Sequence, residues 1–449
     1  MPFSAGSGVN LSSLTSKKKD GAAASDAVNQ ELPPQPGRLL SLLLRFRIFE
    51  ALHHRQYRLL WYGQVFVSMG TWMDEVTRGW LIYELTNSAV QLGLVRGIQA
   101  IPMLLLSPLA GSAADRYSRK TQLVVAQVVN GLVYAATALL IFTGRIKPWH
   151  VYVTAFLMAV VQTFQQPARA SLVADAVPSG CLTNAIGLNA MIFNVARSIG
   201  PALAGILIAM YGTGGTYAIQ AVFFFLATLW TVRVYVSRRT AANTGQCQGE
   251  SFCQSILDGW KFSWRNEAVR AGLITAFVAS LFVAPFTTLL PVFARDLLRI
   301  GATGQGMLLT AMGVGALCSA IIIASVGDKL PRGMLMLGSV MLYGCILMIF
   351  AASPWFELSL LMMMIAGLCH VHSNALVQTV IQFHSPSEFR GRTMALFYMN
   401  RVVIVVGSML IGSLSSLLGA QWAVALMGAV GTLAMIIIYV AIPRARLIR

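Results

Sequence analysis

Two carboxylates and two arginines stand where an apolar chain has least use for them. Within the apolar stretch 58–84 the sequence places Asp74, Glu75 and Arg78, and Arg96 enters the next stretch at a similar depth. An ionised side chain in hydrocarbon costs several kcal/mol unless it is paired, so such residues are a functional hypothesis by default. A carboxylate that exchanges an arginine for a proton couples proton entry to a change of state. A permanent structural ion pair is the competing reading. Glu75 is the first candidate for coupling and Asp74 the second, with Arg78 and Arg96 as partners. His370 is a further candidate because imidazole ordinarily titrates near neutral pH, although a single histidine on a helix face also serves as a plain hydrogen-bonding residue.

The polar residues around these groups fall on helical faces. Gln64, Ser68, Thr71, Glu75 and Arg78 recur at steps of three and four and so share one stripe. A second stretch carries Gln162, Gln165, Gln166 and Arg169, and a third carries His370, Asn374, Gln378 and Gln382 at unbroken steps of four. None of these stripes belongs against lipid, so they are candidates for the lining of a substrate cavity. Met363, Phe223, Phe282 and Phe286 are candidates for its apolar wall. Arg169 and Arg401 fall near helix ends, where they can snorkel to headgroups. Asn194, Arg197, Asn400 and Arg401 are read as ties between helices.

The elements that must position these groups follow from composition. Of 449 residues, 56% are hydrophobic and 11% charged, against roughly 25% charged in soluble proteins. From Tyr57 onward apolar stretches of about 20 residues succeed one another, the length that crosses a bilayer as helix. Twelve are expected, at 58–84, 90–110, 121–143, 149–173, 183–210, 215–236, 268–293, 303–326, 333–352, 356–380, 392–418 and 421–442. The stretches show no ten-residue alternation, which excludes a barrel. The fold class is an all-α membrane protein, twelve transmembrane helices in two six-helix pseudo-symmetric halves.

The net charge of +17 reports topology and requires no nucleic acid. With both termini cytoplasmic, most of the 33 Lys and Arg lie on the inner side, five lie within spans, and only Arg145, Lys147, Arg295 and Arg299 lie outside. Residues 1–50 read as a disordered cytoplasmic tail ending in an interfacial segment, RLLSLLLRFRIF (38–49). The N-terminal half spans 51–236, a cytoplasmic linker 237–267, the C-terminal half 268–442 and a cytoplasmic tail 443–449. In the linker Phe252, Ile256, Trp260 and Trp264 form one face of an amphipathic helix beside Lys261 and Arg265. Pro285 and Pro291 are expected to kink the seventh span.

The two halves echo one another about 210 residues apart. Asp115 and Arg119 return as Asp328 and Arg332, and Gly200 and Gly205 as Gly407 and Gly412. Six scattered cysteines, without a CxxC spacing, indicate neither a disulfide framework nor a metal site. No GxxxxGK[ST] loop occurs, which disfavours ATP coupling. No loop carries a cluster resembling an enzyme site, and no cofactor is indicated.

GSAADRYSRK (111–120) resembles the loop signature of the major facilitator superfamily. Gly111 would permit close helix approach, Asp115 would accept bonds from a neighbouring helix N-terminus, and Arg116, Arg119 and Lys120 would anchor the loop inside. GDKLPRG (327–333) is a degraded second copy that keeps Asp328 and Arg332. Gly200, Pro201, Ala204 and Gly205 resemble the superfamily's antiporter motif in part, with Ala196 replacing its first glycine; a small-residue packing face is the alternative. Residues 51–95, 165–205 and 256–270 are similar to the drug and siderophore exporter branch, which includes enterobactin exporter-like and macrolide efflux-like proteins. The resemblance covers about residues 50–442. It implies a monomeric transporter in a bacterial plasma membrane, with helices 1, 4, 7 and 10 around a central cavity.

The expected activity is proton-coupled export of a small amphipathic organic molecule such as a drug or siderophore. Its partners would be the bilayer, the small-molecule substrate and protons. Import or symport of a small metabolite on the same fold is the runner-up. A non-transporting receptor or assembly scaffold is the alternative class, and it predicts a blocked cavity.

Overall fold

Proline, glycine and polar punctuation divide the apolar chain into helices that lie against one another. The computed structural model describes residues 47–235, 252–326, 331–441 and 446. Asp328, the tail expected over 1–38 and most of segment 38–49 lie outside the described residues. After a short 3-10 turn, Arg47–His53, come α1 (Arg55–Thr86), α2 (Ala89–Arg116), α3 (Arg119–Phe142), α4 (Pro148–Ala176) and α5 (Leu182–Val232). Then follow α6 (Phe252–Arg265), α7 (Glu267–Val278), α8 (Gly301–Val326), α9 (Arg332–Ala352), α10 (Phe356–His384), α11 (Ser387–Tyr398), α12 (Asn400–Leu418) and α13 (Ala420–Ala441). No strand occurs among the described residues.

Nine helical stretches among the described residues are long and apolar enough to cross a bilayer. One of them, Ser179–Val232, holds two of the spans expected from sequence. α1 and α4 have the length, at 32 and 29 residues, but their polar faces hold them below that degree of apolarity.

α5 reverses direction at Gly212, whose φ of 68° is in the region that favours glycine. Its first arm runs with α1, as Tyr57 donates to the Ala185 carbonyl at 2.8 Å and Gly200 sits against Trp72. Its second arm runs back along α1, with Gln220 donating to Thr77 at 3.1 Å and Phe224 against Gly70. The expected kink in the seventh span is a longer departure. α7 gives way to a π turn at Ala279–Val283, a 3-10 turn at Ala284–Leu289 containing Pro285, a short helix Leu290–Val292 containing Pro291, and a second π turn at Phe293–Leu297. Each proline lacks the N–H that would continue the α ladder.

The echoed glycines occupy equivalent helix crossings. A Cβ at Gly205 would stand 2.5 Å from the Ala302 carbonyl oxygen, and one at Gly306 would stand 2.4 Å from that of Pro201. At the matching crossing of α2 and α12, a Cβ at Gly93 would stand 2.6 Å from the Ser408 carbonyl oxygen and one at Gly412 2.8 Å from that of Ala89. These crossings close the helix ends near Ala89, Gly301 and Leu418. Toward the opposite ends, Gly111, Gly187 and Gly391 have nothing within 4 Å of where a Cβ would sit. The halves are held together at this sealed end, where Thr303 also donates to the Gly205 carbonyl at 3.3 Å, and the end that carries Arg55 and Ala441 reads as the open one.

Gly111 thus does not serve a close helix approach here, contrary to the expectation from the loop signature. α6 forms where the linker pattern predicts a helix. Trp260 and Trp264 stack on each other with centroids 5.6 Å apart and stay exposed, while Phe262 stacks on Phe389 at the start of α11.

Candidate functional site

The two adjacent carboxylates of α1 point different ways, since consecutive helical residues are about 100° apart. Asp74 takes a fork from Arg78 one turn on, with Nε and Nη2 donating at 2.9–3.0 Å. Arg78 also reaches Thr154 on α4 at 3.2 Å. This pair is buried, with side-chain exposures of 4% for Arg78 and 13% for Asp74. Glu75 instead receives both ends of the Arg96 guanidinium from α2, one of them at 2.9 Å. That pair is about 30% exposed on each side and faces the interior.

Three cavities meet at Glu75. The first, lined also by Asp74, Arg78, Arg96, Gln99, Thr287, Thr288 and Gln305, has a volume of only about 30 Å³. That is room for a water molecule or so. The second, of about 240 Å³, runs along Gln99, Met103, Arg401 and Ser408. The third, of about 180 Å³, is central: Trp72, Glu75, Arg197 and Pro201 line it from the N-terminal half, and Thr287, Met312, Tyr343, His370 and Ile404 from the other. A further cavity of about 190 Å³ lies against His370, Asn374, Gln378, Ser280, Asn400 and Arg401.

The predicted stripes are only partly cavity walls. Gln64 donates to Ser68 at 2.7 Å and Thr71 to the Val67 carbonyl at 2.8 Å, while the Gln64 amide oxygen is buried without a partner. Gln162, Gln166 and Gln382 are exposed and belong to none of these cavities, and Gln165 is buried. Arg169 does not snorkel. It is buried against α1, donating to the Leu60 carbonyl at 3.4 Å. Met363 and Phe286 are core residues, the latter packed edge-on to Tyr343 and Phe350.

Arg197, read from sequence as a tie between helices, lays its guanidinium over the Trp72 ring of α1, 5.6 Å from the centroid. Gly200, Pro201, Ala204 and Gly205 are all buried; Gly200 packs against Trp72 of α1, while Gly205 and the Pro201 carbonyl meet α8. In the loop signature, Arg119 pairs with Asp175 of α4 at 2.5 Å, Lys120 lies over the Tyr235 ring, and Arg116 is exposed at the end of α2. The Asp115 side chain lies outside the described residues. Arg332 lies over the Phe383 ring at 5.7 Å.

A polar seam joins the halves at the sealed end. The Tyr83 hydroxyl of α1 donates to Asp296, while Arg295 lies over the Tyr83 ring at 5.3 Å and donates to its carbonyl at 3.4 Å. Sequence reasoning missed this seam, and also Gln99, Gln305, Trp72 and Tyr343. Each is a single polar or aromatic residue without a periodic partner, and the neighbour that gives it meaning is on another helix.

A gated interior lined by paired charges, between helices crossing on echoed glycines, is the anatomy of a transporter. A model of a family described as transmembrane secretion effector matches residues 48–447. The chain belongs to this major facilitator family. It is a multi-pass membrane transporter and not an enzyme. The staphyloferrin A transporter of Staphylococcus aureus is 23% identical to it over 80% of this chain and 89% of that one. The multidrug efflux pump Tap of Mycobacterium tuberculosis is 25% identical over 75% of this chain and 81% of that one. Among solved structures, a bacterial homolog of the human lysosomal transporter Spinster, inward-facing and unoccupied, has the same fold. It superposes with a TM-score of 0.65 at 13% identity, covering 88% of this transporter and 96% of that chain.

Proposed function

We propose that this transporter exports a small amphipathic organic molecule in exchange for protons, and that Glu75 carries the coupling. The observation behind this reading is the contrast between the two carboxylates of α1. Asp74 is held against Arg78 and α4 and touches only the smallest cavity, whereas Glu75 lines all three cavities, two of them together with Arg96. A proton arriving at Glu75 removes the charge that holds Arg96, and the freed guanidinium must then find another acceptor or water. Substrate entering from the open end and a proton entering from the sealed end would thus compete for one charge network. The rocking of one half against the other, with opening of the Tyr83–Asp296 seam, exchanges the accessible side.

The relative named as a multidrug efflux pump supports export, and the interior cavities argue against a non-transporting scaffold, for which a blocked cavity is expected. The open end is assigned to the cytoplasm, with both termini there, in a plasma membrane. The working unit is a monomer of two halves, 51–236 and 268–442, joined by the linker 237–267.

The test is proton movement in proteoliposomes with a trapped pH dye, using staphyloferrin A and a macrolide as probes. Addition of a transported probe is expected to dissipate an imposed proton gradient through the native protein, and Glu75→Gln to abolish that response. Asp74→Asn should keep part of it. Coupling through Glu75 is wrong if Glu75→Gln moves protons as well as the native protein does, and the antiport reading is wrong if no probe moves them at all.

A further inference from the structure

The central cavity holds more donors than acceptors. Arg197 stands in the middle of the first arm of α5, and no carboxylate among the described residues lies within ion-pair distance of it. Its guanidinium lies over the face of Trp72, and its N–H fork meets no hydrogen-bond acceptor among the described residues. The Tyr343 hydroxyl, on a side chain with 0% exposure, is buried without a hydrogen-bond partner, and so is the indole Nε1 of Trp72. All three residues line the same space of about 180 Å³. The one carboxylate in the lining is Glu75, and both its oxygens are already held by Arg96. Thr287 spends its hydroxyl proton on the Ala284 carbonyl at 3.3 Å, and His370 meets Tyr343 ring to ring at 5.9 Å. The remaining wall is apolar: Pro201, Ala284, Leu309, Met312 and Ile404.

Charge points the same way. Asp74 and Glu75 are answered by Arg78 and Arg96, so Arg197 leaves the intramembrane cluster with an unbalanced positive charge. Buried donors without acceptors and an uncompensated guanidinium are both costly at this depth. A ligand that supplies acceptor oxygens and negative charge relieves both costs at once, and planar carboxylate geometry suits the arginine fork.

We infer that the central cavity recognises an amphipathic organic anion, whose carboxylate or similar oxygen-bearing acid docks on Arg197 with the Tyr343 hydroxyl and the Trp72 indole N–H. Its apolar body lies along Met312, Leu309 and Ile404. This rests on the reading of the cavity as the transport site, and it narrows the substrate from any amphipathic molecule to an acid. Arg197 and Tyr343 come from opposite halves, so the acid group bridges them and its binding is sensitive to their separation.

The test uses equilibrium binding to the full-length protein in detergent, without a gradient, so that it is independent of proton coupling. The probes are 1-naphthylacetate, its neutral amide and 1-naphthylmethylamine. The acid is expected to bind about tenfold or more tighter than the amide, the usual worth of a hydrogen bond to a charged group, and the amine weakest. Arg197→Gln should erase the preference for acid over amide while leaving amide binding in place. Tyr343→Phe, which keeps the ring that packs on Phe286, should reduce the preference several-fold. Equal binding of acid and amide, tighter binding of the amine, no binding of the acid, or an acid preference that survives both substitutions overturns the inference. Acid-selective binding by a protein that moves no protons would instead count against the antiport reading alone.

Discussion

Valine at Gly306 is expected to abolish transport and to hold the sealed end of the bundle apart, in a protein whose individual helices still form. The reason is geometric. A Cβ there would stand 2.4 Å from the Pro201 carbonyl oxygen and 3.1 Å from the Ala202 Cα. Both atoms belong to a backbone that cannot rotate away as a side chain tip can, so α5 and α8 must separate. Gly205, whose Cβ would meet the Ala302 carbonyl at 2.5 Å, should behave alike, and alanine at either position should be intermediate. Membrane helices gain most of their association from such close contact, with no hydrophobic drive to compensate its loss. Spin labels on Glu84→Cys and Arg299→Cys, exposed residues lining one groove at the sealed end, would report the change in a chain whose native cysteines are replaced. The distance between them should lengthen in Gly306→Val. Gly111→Val supplies the contrast, since nothing lies within 4 Å of its Cβ position, and it should leave that distance unchanged. A Gly306→Val protein with native spacing and native transport would mean that this crossing does not seal the bundle.

Those glycines show which parts of the molecule could be read before any coordinates. The echo of Gly200 and Gly205 by Gly407 and Gly412 is a one-dimensional signal, and it marks the helices that cross at the sealed end. The stripe through Glu75 was legible for the same reason, because helical period alone puts its members on one face. Period says nothing of the neighbour, however. Gln64, Ser68 and Thr71 share Glu75's face yet bond to each other or to their own backbone, and Arg169 turned out to be buried against α1. Its guanidinium reaches Leu60, 109 residues away, a distance over which sequence carries no register. The same holds for the Tyr83–Asp296 seam, 213 residues apart in the chain. Tyr343 is the one hydroxyl-bearing aromatic in an apolar helix. Only the partnerless hydroxyl in a shared cavity gives it a role.

The second large effect is expected from Arg78→Met, which should lower stability by about 3–5 kcal/mol, because removing one partner of a buried ion pair leaves an uncompensated charge. Asp74 accepts three bonds from Arg78 and its side chain is 13% exposed, so the single water its small cavity could hold would replace them only in part. Arg96→Met should cost less, since its partner Glu75 is about 30% exposed beside open cavities and can recover solvation there. The difference separates a pair that holds the fold from one that is free to act. Equilibrium unfolding in mixed micelles would measure both, and Asp74→Leu combined with Arg78→Met should restore most of the loss, as apolar replacements of a whole buried pair are often neutral. If Arg78→Met costs nothing, or if the double replacement is no better than the single one, Asp74 is not a structural charge. The division of labour between the two carboxylates would then have to be reversed, with Asp74 rather than Glu75 taking the proton.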